Sequence, residues 1–105
     1  MLTIESIGEK SMSRPAAVAT RQIDNERTIV TEWRFAPGAE TGWHRHEYDY
    51  VVCPMVDGTL LLETPEGERE ATLQRGQTYT REAGVEHNVV NAGPEEMVFI
   101  EVEIR

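Results

Sequence analysis

Hydrophobic and polar residues alternate along the stretch TIVTEWRF, residues 28–35. Ile29, Trp33 and Phe35 fall on one side of an extended chain, and Arg34 falls on the other. Alternation with a period of two is the pattern of a β-strand with one buried face. The stretch is therefore predicted to form a strand.

The last stretch of the chain, MVFIEVEI, alternates in the same way. One of its faces carries Phe99, Glu101 and Glu103, and the other carries Val98, Ile100, Val102 and Ile104. This pattern predicts that the chain ends in a half-buried strand.

Turn-forming residues divide the sequence into short segments. From Asp57 onward they recur every 8 to 10 residues, and the Asp57-Gly58 pair separates two apolar stretches, VVCPMV and TLLLE. Asp-Gly between apolar segments is typical of a tight hairpin, and this spacing is typical of sandwiches and barrels. We find no convincing long helix, so the expected fold class is all-β.

The length of 105 residues suits one compact domain. Residues 1–19 show no clear period, and Pro15 would interrupt a helix. We expect an N-terminal extension over 1–19, either a tail, a short turn of helix or an arm that contacts a second subunit, and a single β-domain over 20–105. A homodimer is predicted because the chain is small and the strand TIVTEW could offer its edge to a second copy.

The charge of the chain argues against two classes of partner. Its 19 acidic and 10 basic residues give a net charge of −9, without any basic run. Such a surface repels the phosphates of nucleic acids and the headgroups of anionic membranes. The first residues, MLTIESIGEKSMSR, also lack the apolar run of a signal peptide, and a cytoplasmic location is expected.

Two of the three histidines, His44 and His46, are separated by one residue. On a strand, such residues point to the same face and lie roughly 6.6 Å apart, so both imidazoles can reach one metal ion. His87 opens the apolar segment HNVV after a turn, and a barrel could bring it beside the first two as a third ligand. Taken alone, an HxH pair can occur by accident at a surface, and His87 could be an ordinary core or surface histidine.

The spacing around these histidines resembles two motifs of the cupin family. Gly38 precedes His44 by six residues, and Gly58 closes this first motif. The second runs from Gly76 through Gly84 and His87 to Asn91, with Glu82 in place of the usual proline. The resemblance covers residues 38–91 and implies a double-stranded β-helix, or jelly-roll barrel, that holds a divalent metal.

The chain departs from the cupin pattern at the fourth metal ligand. Many cupins have a glutamate separated from the HxH pair by three or four intervening residues, and this chain has Tyr50 and Val51 at those two positions. Glu47 and Asp49 are near but belong to the expected turn, and Tyr50 could itself coordinate the ion. Tyr48 and Tyr50 are also candidate catalytic residues, as hydrogen-bond donors to a bound ligand, although both could be packing residues.

Three neutral imidazoles would leave up to three positions of an octahedral ion open to a small anionic ligand. Fe(II) is the favoured ion, and Ni(II), Zn(II), Mn(II) and Cu(II) also suit nitrogen ligands. The resemblance permits a metal-dependent dioxygenase acting on a small organic acid or diketone. The alternatives are a non-catalytic carboxylate-binding protein, since the stretch WHRHEYDYVV resembles small cupins assigned to β-alanine degradation, and a metal-dependent isomerase or lyase.

Overall fold

The computed structural model describes residues 14–105, which form β-strands joined by turns and loops and contain no helix. Expectations for residues 1–13 concern a part of the chain outside this range. The strands, in chain order, are β1 (Val18–Asp24), β2 (Thr28–Phe35), β3 (His44–Arg45), β4 (Asp49–Pro54), β5 (Gly58–Thr64), β6 (Gly67–Leu73), β7 (Tyr79–Arg81), β8 (Glu86–Asn91) and β9 (Met97–Ile104). The predicted all-β fold class is confirmed.

The strands form two antiparallel sheets. One sheet has the order β1-β2-β9-β4-β7, and the other has the order β3-β8-β5-β6. Both sheets contribute to one apolar core, in which Phe35 and Phe99 have ring centroids 5.4 Å apart. The other buried members of this core are Ala39, Tyr50, Val52, Leu60, Leu62, Leu73, Val89 and Met97. The rigid frame around the histidines is therefore built from both sheets.

The last strand, β9, is half-buried as predicted, but its acid-bearing face points inward. Phe99 and Glu101 are buried, whereas Ile104 on the opposite face is 46% exposed. Glu101 pairs across the sheet with Thr31 of β2 and Val52 of β4, both of which are also buried. Strand alternation was correctly recognised, yet the more apolar face of the strand is the outer one.

The stretch TIVTEW does not lie at a sheet edge, because β1 pairs with β2 along its whole length. The first two residues of β1, Val18 and Ala19, come from the predicted N-terminal extension. All seven residues of β1 are exposed, and they form the edge of the five-stranded sheet in the described chain. Among residues 14–105, β1 is therefore one sheet edge that another molecule could reach, and β7 is the opposite edge of the same sheet. Within the described residues, no helix could span a membrane.

Candidate metal centre

The three histidines come together because β3 and β8 pair directly. His44 and His87 are opposite each other in this antiparallel pair, so their side chains share a face. His46 follows β3 and is held by two backbone hydrogen bonds. Its amide donates to the Val85 carbonyl at 2.9 Å, and its carbonyl accepts from the Gly84 amide at 2.8 Å. The turn before β8 thus fixes His46 beside the other two histidines.

The imidazole nitrogens are spaced as a common metal ion would require. His46 Nε2 lies 3.0 Å from His44 Nε2 and 3.2 Å from His87 Nε2. If each nitrogen is placed at about 2.1 Å from one ion, these separations correspond to nitrogen-metal-nitrogen angles of about 90 to 100°. Both angles are close to those between neighbouring ligands of an octahedral ion, and the ligand atoms of all three histidines lie within 4.8 Å of one another. The residues present therefore fit a divalent transition metal.

Burial keeps two of these imidazoles neutral. His46 and His87 are 5% and 6% exposed. Desolvation, followed by repulsion from His44, lowers the pKa of His46 to about 4 and that of His87 to about 3. Both rings are consequently unprotonated at neutral pH, which is the state that binds a metal.

The orientation of His44 is set by its other ring nitrogen. His44 Nδ1 lies 2.9 Å from the carbonyl oxygen of Gly42. Because a carbonyl only accepts hydrogen bonds, Nδ1 carries the proton and Nε2 keeps its lone pair for a metal. The Gly42 peptide thereby selects the tautomer that the site requires.

The two candidate catalytic tyrosines have different surroundings. Tyr50 is 2% exposed and stacks on His46, with ring centroids 3.9 Å apart. Burial raises the pKa of the Tyr50 hydroxyl above its usual value. Tyr48 is half-buried at the mouth of the site, where the Arg105 guanidinium lies 5.9 Å from its ring centroid. Their part in catalysis remains a prediction.

Neither acid of the turn after His46 lies inside the barrel. Glu47 is exposed. Asp49 is also exposed, and its Oδ1 accepts a hydrogen bond of 2.9 Å from the backbone amide of Ala83. The buried acid beside the histidines is Glu101 of β9, whose carboxylate and the ring of His46 offer ligand atoms within 4.8 Å of each other.

The environment of Glu101 is unusual for a carboxylate. The residue is 9% exposed, and desolvation together with the nearby Glu103 raises its pKa to about 7. A hydrogen bond from the Trp33 indole and the charge of Arg21 oppose this rise. A buried carboxyl group with a pKa near neutrality therefore lies beside His46, one of the three histidines.

Two neighbouring spaces adjoin the histidines. The inner cavity has a volume of about 30 Å³ and is walled largely by apolar residues such as Val52, Leu60 and Phe99. An outer groove of about 460 Å³ leads to solvent past Arg21 and Arg45. The two spaces share the side chains Trp33, Thr41, His44 and Glu101. A small ligand in the groove would meet His44 and Glu101 before it reached the inner cavity.

Residues 31–103 match the family model described as the cupin domain. The chain belongs to the cupin family. A Pseudomonas aeruginosa relative named β-alanine degradation protein BauB is 68% identical over 92 residues, covering 88% of this chain and 97% of that protein. The crystal structure of a Bordetella pertussis cupin domain is 64% identical, with a TM-score of 0.88, and covers 90% of this chain and 98% of that one.

More distant cupin structures share the fold alone. A Klebsiella pneumoniae protein with a double-stranded β-helix domain is 22% identical, with a TM-score of 0.72, and covers 88% of this chain and 79% of that chain. The predicted jelly-roll barrel and the resemblance to small β-alanine degradation cupins are thus confirmed. Asn91, the last residue of the second cupin motif, has a structural role. Its side-chain amide donates to the carbonyls of Phe35 and Glu95 and so closes a loop.

The main residue that the sequence prediction missed at this cupin site is Glu101. Its strand was recognised, but an acid alternating with apolar residues is usually assigned to the solvent face. A usable signal was present in the pattern, because Glu101 shares its face with Phe99, a large aromatic residue that a small barrel would bury.

Proposed function

We propose that this cupin is a metal-dependent protein of small-amino-acid catabolism, in which an ion held by His44, His46 and His87 binds a small carboxylic acid. The observation that carries the proposal is the convergence of the three histidines, in which His46 Nε2 lies 3.0 Å from His44 Nε2 and 3.2 Å from His87 Nε2, as neighbouring ligands of one ion would. The metabolic setting is supported by the 68% identity to the protein named for β-alanine degradation. Fe(II) is the ion we favour.

The chain's own residues have separate parts in this function. The histidines hold the ion, Tyr50 packs against His46, and the narrow inner cavity limits what can lie beside the site. Arg21 and Arg45 line the outer groove together with Glu47, Glu101 and Glu103, and the arginines are its candidate partners for the anionic end of a ligand. When bound, the metal supplies open coordination positions and Lewis-acid or redox chemistry.

Oxygenation of the bound acid is a second candidate function. It is favoured by the inner cavity, which is walled largely by apolar side chains and has room for only one or two molecules the size of water. Such a space suits a small apolar gas better than a second polar substrate. An isomerase or lyase reaction would not use this feature.

The proposal is tested by loading the protein with Fe(II) under anaerobic conditions and adding nitric oxide. We expect one ion per chain and the electron paramagnetic resonance signal of a high-spin iron nitrosyl, because the ion keeps open positions. Small carboxylic acids are expected to alter that signal. Oxygen uptake with such acids would support the oxygenase, ligand binding without uptake would support a binding protein, and failure to retain any transition metal would refute both.

We also propose a homodimer that uses the exposed edge of β1. The edge carries Val18 and Ile23, which are 59% and 46% exposed. A strand edge with exposed apolar residues favours pairing with another strand.

Light scattering is expected to give twice the chain mass of 11.9 kDa, and Ile23→Lys should shift the measured mass toward that of the monomer. Met55→Lys, at an equally exposed apolar residue in a turn, is the control; a monomeric native protein would contradict the proposal.

A further inference from the structure

A hydrogen-bonded network extends from the N-terminal segment to His44. It begins at Arg14, which lies before β1 and reaches two carboxylates. The two terminal nitrogens of the guanidinium, Nη1 and Nη2, donate to Glu63 at 3.2 and 3.1 Å. Nη1 also donates to Glu40 at 3.1 Å. All three side chains are partly shielded, with exposures of 32% for Arg14, 27% for Glu63 and 19% for Glu40.

The second part of the network is the side chain of Asn88, next to His87 on β8. Its amide nitrogen donates to Glu40 Oε1 at 2.9 Å and to Glu63 Oε1 at 2.8 Å. Its amide oxygen accepts from the Gly42 backbone amide at 2.9 Å. The residue is 6% exposed, so these contacts replace water almost completely.

The two carboxylates determine which way the Asn88 amide faces. If the amide were flipped, its oxygen would face two carboxylate oxygens and its nitrogen would face the Gly42 N–H, so favourable contacts would become repulsive. Arg14 stabilises this arrangement because its positive charge compensates part of the negative charge on Glu40 and Glu63. Without Arg14, two partly buried carboxylates would face each other across one amide.

The last part of the network is the Gly42 peptide region. Gly42 has a φ of +89°, which a side chain would make unfavourable. The Gly42 N–H donates to the Asn88 side chain, and the Gly42 carbonyl accepts a hydrogen bond from His44 Nδ1 at 2.9 Å. Thr41 adds support, because its hydroxyl donates to the same carbonyl at 2.9 Å and accepts from the Val89 amide at 3.1 Å.

We propose that Arg14, Glu40, Glu63 and Asn88 form a positioning network, which holds His44 in the orientation and tautomer that bind the metal. The segment before β1 is then part of the metal centre, although it contributes no ligand. The inference rests on the proposed function only in that His44 is taken to be a ligand. None of the four residues belongs to the histidine group that would bind the ion, so they are positioning residues.

The test compares Arg14→Met with Arg14→Lys and with a control, Arg34→Met. Arg34 is a matched residue because it also bridges two glutamates, Glu32 and Glu96, but it lies on an exposed face. Metal affinity is measured with Co(II) against a competing chelator. The His44 Nδ1–H is followed in metal-free protein by ¹⁵N-¹H correlation of the imidazoles.

Arg14→Met is expected to weaken Co(II) binding about tenfold, at the lower end of what loss of an outer hydrogen-bond partner causes. It should also broaden or shift the His44 Nδ1–H signal, whereas Arg14→Lys should restore part of both and Arg34→Met should change neither. Unchanged affinity and an unchanged His44 signal in Arg14→Met would overturn the inference, as would an equal loss in Arg34→Met. If the native protein bound no metal, the proposed function would fail, while the His44 signal would still decide on the network.

Discussion

Replacing His87 by alanine is expected to lower divalent metal affinity by at least about a hundredfold, because one of three ligands is lost. His44→Ala and His46→Ala should have effects of similar size, since all three residues face one point. The measurement is metal content after dialysis, together with a chelator competition at pH 7.5. Equal losses would show that strands distant in sequence contribute equivalent ligands.

The control for this set is Glu47→Gln, which changes an exposed acid directly after His46. It is expected to leave metal content unchanged, because that carboxylate lies outside the barrel. His87→Gln is added because it keeps a buried polar side chain without an imidazole and so reduces the risk of misfolding. If His87→Ala and His87→Gln both retain native metal stoichiometry in folded protein, His87 is not a ligand and the three-histidine centre is wrong.

The sequence predicted the histidine cluster because the relevant constraints are local or belong to the family motif. Strand parity predicts that His44 and His46 share a face, and the motif spacing brings the strand of His87 beside His44. In the structure β3 ends at Arg45, and His46 is positioned instead by backbone hydrogen bonds to the turn before β8. These constraints on the histidines need no knowledge of distant contacts. The hairpin predicted at Asp57-Gly58 is wrong, because this segment carries the chain from β4 in one sheet to β5 in the other, and the two strands do not pair. Gly58 also lacks the positive φ that a tight primed turn requires.

Other features could not be predicted, for different physical reasons. The strand β1 is exposed on both faces, so it has no hydrophobic alternation from which to recognise it. The contacts of Arg14 with Glu40 and Glu63 join segments 26 and 49 residues apart, and charge alone does not reveal such pairings. The inward face of β9 was not predicted either, because alternation identifies two faces and the only sign of the inner one was Phe99, on the face that also carries two acids.

Replacing Glu101 by glutamine is expected to stabilise the metal-free protein at pH 8 by about 3 kcal/mol. The pKa of this carboxyl is raised from 4.5 to about 7, so the folded state binds its proton more tightly than the unfolded chain does. Its favourable contribution is therefore complete below pH 4.5 and is lost as pH rises through 7. Each pKa unit corresponds to about 1.4 kcal/mol, and glutamine has no proton to lose.

The measurement is urea unfolding of native and Glu101→Gln protein in chelator from pH 4.5 to 8. The lowered pKa values of His46 and His87 act with the opposite sign, because they remove stability as pH falls below 6.5. They are present in both proteins, so the difference between the two curves isolates Glu101. That difference should grow between pH 4.5 and 7 and then level off, and the exposed control Glu70→Gln should show no such trend.

The same substitution is expected to have the reverse effect once metal is added. Glu101 offers an oxygen within 4.8 Å of a His46 nitrogen, and a cation bound by His46 would favour the ionised form of a carboxylate at that distance. Glu101→Gln should therefore weaken metal binding about tenfold while it stabilises the metal-free fold. Gains in both stability and metal affinity would mean that the charge of Glu101 does not act on the ion. A buried acid that costs stability and improves metal binding is what a site selected for function would retain.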